Sequence, residues 1–259
     1  MAEQTELLVE RPSAGVVQLT LNRPDKRNAL ATPLLGAIAD ALAEAAGDEA
    51  SACVVLTGGP KVFAAGADIN ELAVKTPVTA ETEARGQHWA TIRAFPKPLI
   101  AAVEGYCLGG GLELALCADI IIAGEGARFG TPEINLGIMP GGGGTQWLPR
   151  IVGKSRAMKM VLSGEPIGAE EALAAGLVAE LAPAGGATAR ALELAESIAA
   201  KPAFALRIAK DAVLKAYNTG FNDGLAYERR AFAVLLASED KAEGTAAFIE
   251  KRKPRFKGR

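Results

Sequence analysis

A chain of 259 residues with 49% hydrophobic and 22% charged residues is long enough to bury a sizeable core, and it has neither the charge excess of a disordered chain nor an unbroken apolar span. The net charge of −2 and the scattered lysines and arginines exclude a broad electrostatic footprint for nucleic acid, the one basic cluster, Lys251 to Arg259, being short. A single histidine, His88, excludes a multi-histidine metal site and leaves room for one histidine-dependent site at most; in the helical stretch RGQHWATIRAF it reads as a packing or surface residue.

Taken in chain order, the opening MAEQTELLVE has neither the basic start nor the apolar run of a signal peptide, so a cytoplasmic location is expected. Residues 16–21, VVQLTL, alternate apolar and polar as a strand does. The segments CVVLT (53–57), LIAAV (99–103) and DIIIAG (119–124) are apolar on both faces, as strands covered on both sides are. Between them, 32–46 and 79–95 have helical composition, the first opening on Thr32-Pro33 as a cap followed by proline at the first helical position. The most apolar region, 98–124, is interrupted by Glu104, Gly109 to Gly111, Glu113 and Asp119, which predicts strand, turn, helix and strand rather than a membrane span. Cys53, Cys107 and Cys117 lie in apolar surroundings without CxxC spacing and read as reduced core thiols. From Lys154 onward the chain is alanine-rich and helical, with Leu225, Phe232 and Leu236 on one helical face. The division expected is an α/β core over residues 1–190 and a helical region over 191–259.

Three glycine-centred segments could carry chemistry. In FAAGADINE (63–71), Asp68 and Glu71 have the spacing of a capping box, so small residues lead into a helix start with free N–H groups near Ala67. In LGGGLE (108–113), three glycines let a ligand approach the main chain before the next helix. Two such donors converging on one point would form an oxyanion hole; the same glycines would equally serve as tight turns. The third segment, FGTPEINLGIMP (129–140), runs into Gly141 to Gly144 and carries Glu133, twenty residues beyond Glu113. Both carboxylates sit among residues that read as buried, where an acid is costly unless it is paired, protonated or in use. A cap or a salt bridge is the plain reading of either alone; the two together suggest acid/base work. No GxGxxG or GxxxxGK[ST] occurs, which argues against dinucleotide and P-loop sites.

VVLTGG, FAAGADINEL, KPLIAAVEGYCLGGGLELALCADIIIA, ARFGTPEINLGIMPGGGGTQ and VGKSRAMKMVLSGEPIGAEEALAAGLV, in that order and through to the EKRKPRFKGR tail, resemble the enoyl-CoA hydratase/isomerase (crotonase) superfamily over almost the whole chain. The resemblance implies an α/β fold, a crotonase-like spiral of repeated ββα units with a helical C-terminal trimerisation region, assembled as a homo-oligomeric trimer or a dimer of trimers. It implies an acyl-CoA substrate, no cofactor beyond the CoA that the substrate carries, and no metal. The thioester carbonyl would be held by the N–H groups of Ala67 and Gly110. Glu113 would be the base on the attacking water, and Glu133 would hold that water and supply the proton to C2. CoA would lie along the loop near Lys26 and Ala29, with Asp68 among the residues that bind it and its adenine at the backbone of Ala65 and Ile69. Lys251 would reach a phosphate, on a neighbouring subunit. For Lys26 and Lys251, a solvated surface charge is the alternative reading.

The family's usual GGTQR reads Gly143-Gly144-Thr145-Gln146-Trp147 here, so an ion pair made by that arginine is missing. Within the superfamily, QHWATIRAFPKPLIAAVEGYCLGGG and KRKPRFKGR resemble 2,3-dehydroadipyl-CoA hydratases of phenylacetate breakdown, and short-chain enoyl-CoA hydratases nearly as well. The segment from Leu72 to Arg85 is where the resemblance places acyl specificity. Two other activities fit the scaffold: a Δ3,Δ2-enoyl-CoA isomerase, which needs one carboxylate, and a non-catalytic RNA- or protein-binding member of the fold.

Overall fold

The computed structural model describes residues 5–259. Two sheets are filled in alternation as the chain advances. β1 (Leu7–Ser13) and β2 (Gly15–Leu21) form an antiparallel hairpin, and α1 (Thr32–Gly47) returns the chain to β3 (Ser51–Thr57), parallel to β2. β4 (Val62–Ala64) then leaves for a second, smaller sheet and is followed by α2 (Ile69–Ala73), α3 (Pro77–Thr82) and α4 (Arg85–Arg93). The pattern recurs with β5 (Leu99–Val103), β6 (Tyr106–Leu108) and α5 (Gly110–Ala115). It recurs again with β7 (Ile120–Gly124), β8 (Arg128–Gly130), α6 (Gly144–Ile151) and α7 (Lys154–Ser163). In each unit the first strand joins the six-stranded sheet and the second joins the four-stranded one. β9 (Ile167–Gly168), α8 (Ala169–Ala174) and β10 (Glu180–Ala182) close the two sheets.

The continuous apolar runs behave as strands buried on both faces: all five residues of Leu99–Val103 are buried. On one side of the large sheet, Val54, Leu56, Ala101 and Val103 pack with Leu34, Leu35 and Ile38 of α1. On the other, Val16, Cys53, Val55 and Ile100 meet Ala187, Ala191 and Ala195 of α9 (Ala187–Ala199). Residue 190 falls inside α9, so the expected division there cuts a helix that covers the core sheet. Beyond it, α10 (Ala203–Lys215), α11 (Phe221–Leu235) and α12 (Glu239–Ile249) form a layer whose large apolar side chains stay uncovered: Phe232 is 61% and Phe248 86% exposed. The face carrying Leu225, Phe232 and Leu236 is an exposed face within one chain.

Three local expectations are corrected. The single helix over 79–95 is two, α3 and α4, because α3 is a short turn capped by Thr76, with Pro77 at its start, and Glu83 after it is extended. Thr32 is the first residue of α1 rather than its cap, and Ala31 is the N-cap. Asp68 does cap α2 by accepting from the Asn70 N–H at 3.1 Å, but Glu71 does not complete a box. Its carboxylate turns to the orphan donors at the start of α1, accepting from the Thr32 N–H at 2.9 and 3.0 Å and from Thr32 Oγ1 at 2.8 Å.

Candidate active site

Parallel pairing in the small sheet aligns Ala64 with Cys107 and Leu108 with Gly130, so the carboxyl ends of β4, β6 and β8 lie side by side. The residues that follow those ends are Ala65-Gly66-Ala67, Gly109-Gly110 and Thr131-Pro132-Glu133. Segments up to 68 residues apart in sequence thereby share one mouth, as ligand crevices of parallel sheets do. They line a cleft of about 560 Å³ whose walls include Lys26, Ala29, Ala65, Gly66, Ala67, Asp68, Ile69, Gly109, Gly110, Glu113 and Glu133.

The direction of the Ala67 N–H follows from its neighbours. Leu30 N–H donates to Gly66 O at 2.8 Å, and Asp68 N–H donates to Leu30 O at 3.4 Å. Leu30 thus occupies one edge of the segment, and the N–H of Ala67, between those two groups, points the other way, as alternate peptides do in an extended chain. Gly110 opens α5, where the first N–H groups have no intrahelical partner. Among the described residues neither N–H finds a protein acceptor. The two backbones are adjacent: a Cβ on Gly110 would stand 3.6 Å from the Ala67 nitrogen. Gly109 makes this approach possible, since its φ of +52° is costly for other residues and a Cβ there would come 2.9 Å from Glu133 Oε1.

Glu113, one turn into α5, is 5% exposed. Its Oε1 accepts N–H bonds from Gly142 at 2.6 Å and Gly144 at 2.9 Å, which fixes the carboxylate from the loop that starts α6. The loop is itself held, because Arg93 Nη1 donates to Gly142 O at 3.2 Å. Glu133 stands in the 3-10 turn Pro132–Leu136. Its Oε2 is buried with no protein partner among the described residues. Burial pushes Glu133 up to about 7, against the pull of its own backbone N–H and with the negative charge of Glu113 adding to the rise. Two carboxyl groups in one cleft therefore differ in support: one is held by main-chain amides, the other is free and half-buried.

Lys26, Ala29, Ala65, Asp68 and Ile69 all reach the cleft wall. Asp68 does so with both oxygens engaged, Oδ1 in the cap of α2 and Oδ2 with Arg23 at 3.1 Å. Lys251 lies beyond α12, outside the residues lining this cleft. His88 also lies outside it; a Cβ on Gly36 of α1 would stand 3.2 Å from its Nε2, so it packs α4 on α1. Trp147, where the family has arginine, sits edge-on to Tyr217 with ring centroids 5.3 Å apart, joining α6 to the end of α10. Burial pushes the Cys53 and Cys117 thiols up to about 12 and raises the Cys107 thiol well above its ordinary value, which suits core packing rather than thiolate chemistry.

The charged and aromatic side chains of α4 did not stand out in the sequence. Arg85, Trp89 and Arg93 recur every fourth residue and so share a helix face. Arg85 and Trp89 line the cleft, and Arg93 holds the loop behind Glu113. Read with Gly141 to Gly144, that spacing was the available signal.

A family model described as enoyl-CoA hydratase/isomerase matches residues 11–259. The chain is 51% identical over 255 residues to a 2,3-dehydroadipyl-CoA hydratase of Escherichia coli (strain K12), covering 98% of this chain and 100% of that protein. It is 43% identical to a mitochondrial enoyl-CoA hydratase of Pongo abelii, over 95% of this chain and 84% of the other. Among solved structures, an enoyl-CoA hydratase from Bacillus anthracis superposes with a TM-score of 0.93 at 36% identity, covering 98% of this chain and 100% of that one. The alternating two-sheet course described above is the ββα spiral of those proteins, and this chain belongs to the enoyl-CoA hydratase/isomerase family.

Proposed function

We propose that this protein adds water across the 2,3 double bond of a trans-2-enoyl-CoA to give a 3-hydroxyacyl-CoA. The observation that carries this reading is the meeting, in one cleft, of two unpartnered main-chain N–H groups with two carboxyl groups held in unlike surroundings. The thioester oxygen accepts from Ala67 and Gly110, which draws electron density from the conjugated system and leaves C3 electrophilic. One such donor is worth roughly 3 kcal/mol to the transition state. Glu113, oriented by Gly142 and Gly144, takes a proton from a water as its oxygen bonds to C3. The resulting enolate is held by the same two amides until C2 takes a proton from Glu133, whose raised affinity for that proton suits it to the task. The proton collected by Glu113 then resets the pair, so the cycle needs no redox group and no metal.

CoA lies along Lys26 and Ala29, with the adenine at the backbone of Ala65 and Ile69, and Asp68 serves as wall rather than as a side-chain ligand. Lys251 reaches a CoA phosphate from a neighbouring copy. The uncovered apolar faces of α11 and α12 support assembly of copies as a trimer or a dimer of trimers. No helix among the described residues is long and apolar enough to cross a membrane, and the protein works in the cytoplasm.

Loss of the ultraviolet absorbance of crotonyl-CoA measures hydration directly. The wild type is expected to bleach it, and Glu113→Gln and Glu133→Gln are each expected to abolish the loss. Full hydration by either variant contradicts the role given to that residue, and a wild type that only moves the double bond would make this an isomerase.

A further inference from the structure

Arg85, the first residue of α4, is a cation in the cleft with too few partners. Its side chain is 14% exposed. A guanidinium presents five N–H donors and cannot lose its charge, so burying it is costly unless carboxylates or carbonyls meet those donors. Among the described residues one hydrogen bond is made, from Nη1 to Leu30 O at 3.1 Å. The nearest carboxylate, Glu71, stands 3.9 Å from Nη1, outside hydrogen-bond distance, and its oxygens are already taken by Thr32. Lys75 and Glu83, on the same wall, are paired with each other. Burial lowers the Arg85 guanidinium from its ordinary value, while Glu71, Glu83 and Glu113 act in the opposite direction.

The place of this cation in the cleft decides what it can meet. Leu30 O, its anchor, belongs to the residue that pairs with the Ala67 segment, and the Leu30 side chain would touch a Cβ placed on Gly110. Arg85 is thereby tied, through Leu30, to the backbone that carries the two amide donors, and it lines the same cleft. The same cleft is lined by the apolar side chains of Leu72, Trp89, Leu136 and Ile138. A partly buried, planar, under-partnered cation in a cleft with apolar lining matches a carboxylate, which it can bind in bidentate fashion.

Resting on the hydratase reading, we propose that Arg85 binds the distal carboxylate of a short dicarboxylic enoyl-CoA and selects it over the uncharged acyl chain of equal length. The 2,3-dehydroadipyl thioester named for the Escherichia coli relative is of that class. Without such a substrate the unmet donors of Arg85 favour binding an anion, so a chain ending in a methyl group forfeits the contact and leaves the cation buried against it.

The test compares 2,3-dehydroadipyl-CoA with trans-2-hexenoyl-CoA in the full-length wild type, Arg85→Met and Arg85→Lys. The wild type is expected to prefer the dicarboxylic substrate. Arg85→Met is expected to lower the dicarboxylic-to-monocarboxylic ratio of kcat/KM by about 100-fold, and Arg85→Lys, which keeps a point charge without the planar fork, by about tenfold. An equal loss on both substrates overturns the proposal, because both carry CoA and such a loss assigns Arg85 to CoA phosphate or to folding. An unchanged ratio overturns it as well. A wild type that hydrates hexenoyl-CoA but rejects the dicarboxylic thioester sinks this inference and leaves the hydratase reading intact, whereas hydration of neither sinks the hydratase reading itself.

Discussion

The two walls of the cleft differ in what they are made of. Where the proposed mechanism places the reacting carbonyl, the groups are main-chain amides: those of Ala67 and Gly110 lack a protein acceptor among the described residues, and those of Gly142 and Gly144 hold Glu113. Where the proposal places the acyl tail they are side chains, Leu72, Arg85, Trp89, Leu136 and Ile138, carried by short helices, a 3-10 turn and the loop after it. Main-chain groups are fixed by the strands that precede them, so chemistry is tied to the fold. Side chains can be exchanged without moving a strand, so substrate choice is free to vary on the same frame.

That contrast is open to attack at several points. After the two glutamate substitutions, the largest effect is expected from Ala67→Pro, which deletes one proposed oxyanion donor and adds no charge: kcat for crotonyl-CoA hydration should fall about 100- to 1,000-fold, with an unchanged circular dichroism spectrum as the control for folding. A loss smaller than tenfold would mean that the amide is not in the transition state. The pH profile comes next. If Glu133 must deliver a proton, kcat/KM should fall about tenfold per pH unit above about 7, and a flat profile up to pH 9 would remove Glu133 from that step.

Arg93→Ala tests support at one remove. The guanidinium holds Gly142 O, and Gly142 N–H holds Glu113, so loosening it should lower kcat about tenfold while KM for crotonyl-CoA changes less than twofold. On the other wall, Leu72→Trp should do the reverse, raising KM for longer acyl chains several-fold and sparing kcat on crotonyl-CoA. Equal effects of the two variants on both constants would erase the distinction between the walls.

The smallest effect is on stability. Glu133 binds its proton more tightly folded than unfolded, so the folded state loses stability as pH rises from about 4.5, its ordinary value, through about 7. Glu133→Gln removes that loss. Chemical denaturation should find the variant about 1–2 kcal/mol more stable than the wild type at pH 8, with no difference near pH 4.

Much of this was legible in the sequence because burial on both faces leaves a compositional mark: LIAAV is β5 to the residue. The two glutamates and the glycine-led helix starts were likewise visible as costly residues in apolar settings. The three-residue strands β4, β6 and β8 were harder to see, since so short a run carries no periodicity, yet their alignment is what brings the site together. Glu71 illustrates another limit. Its spacing from Asp68 fits a local cap, but the orphan N–H of Thr32, 39 residues away, is the partner it takes, and no window of sequence reports that distance. The exposed apolar face of α11 was legible as a face, though one chain alone does not cover it.

A crystal structure with acetoacetyl-CoA, an acyl-CoA that cannot be hydrated, tests the central claim most directly. The account predicts its thioester oxygen about 2.7–3.1 Å from both the Ala67 and Gly110 nitrogens, with Glu113 and Glu133 flanking C2 and C3. A thioester bound away from either amide, or with one glutamate turned out of the cleft, would contradict it.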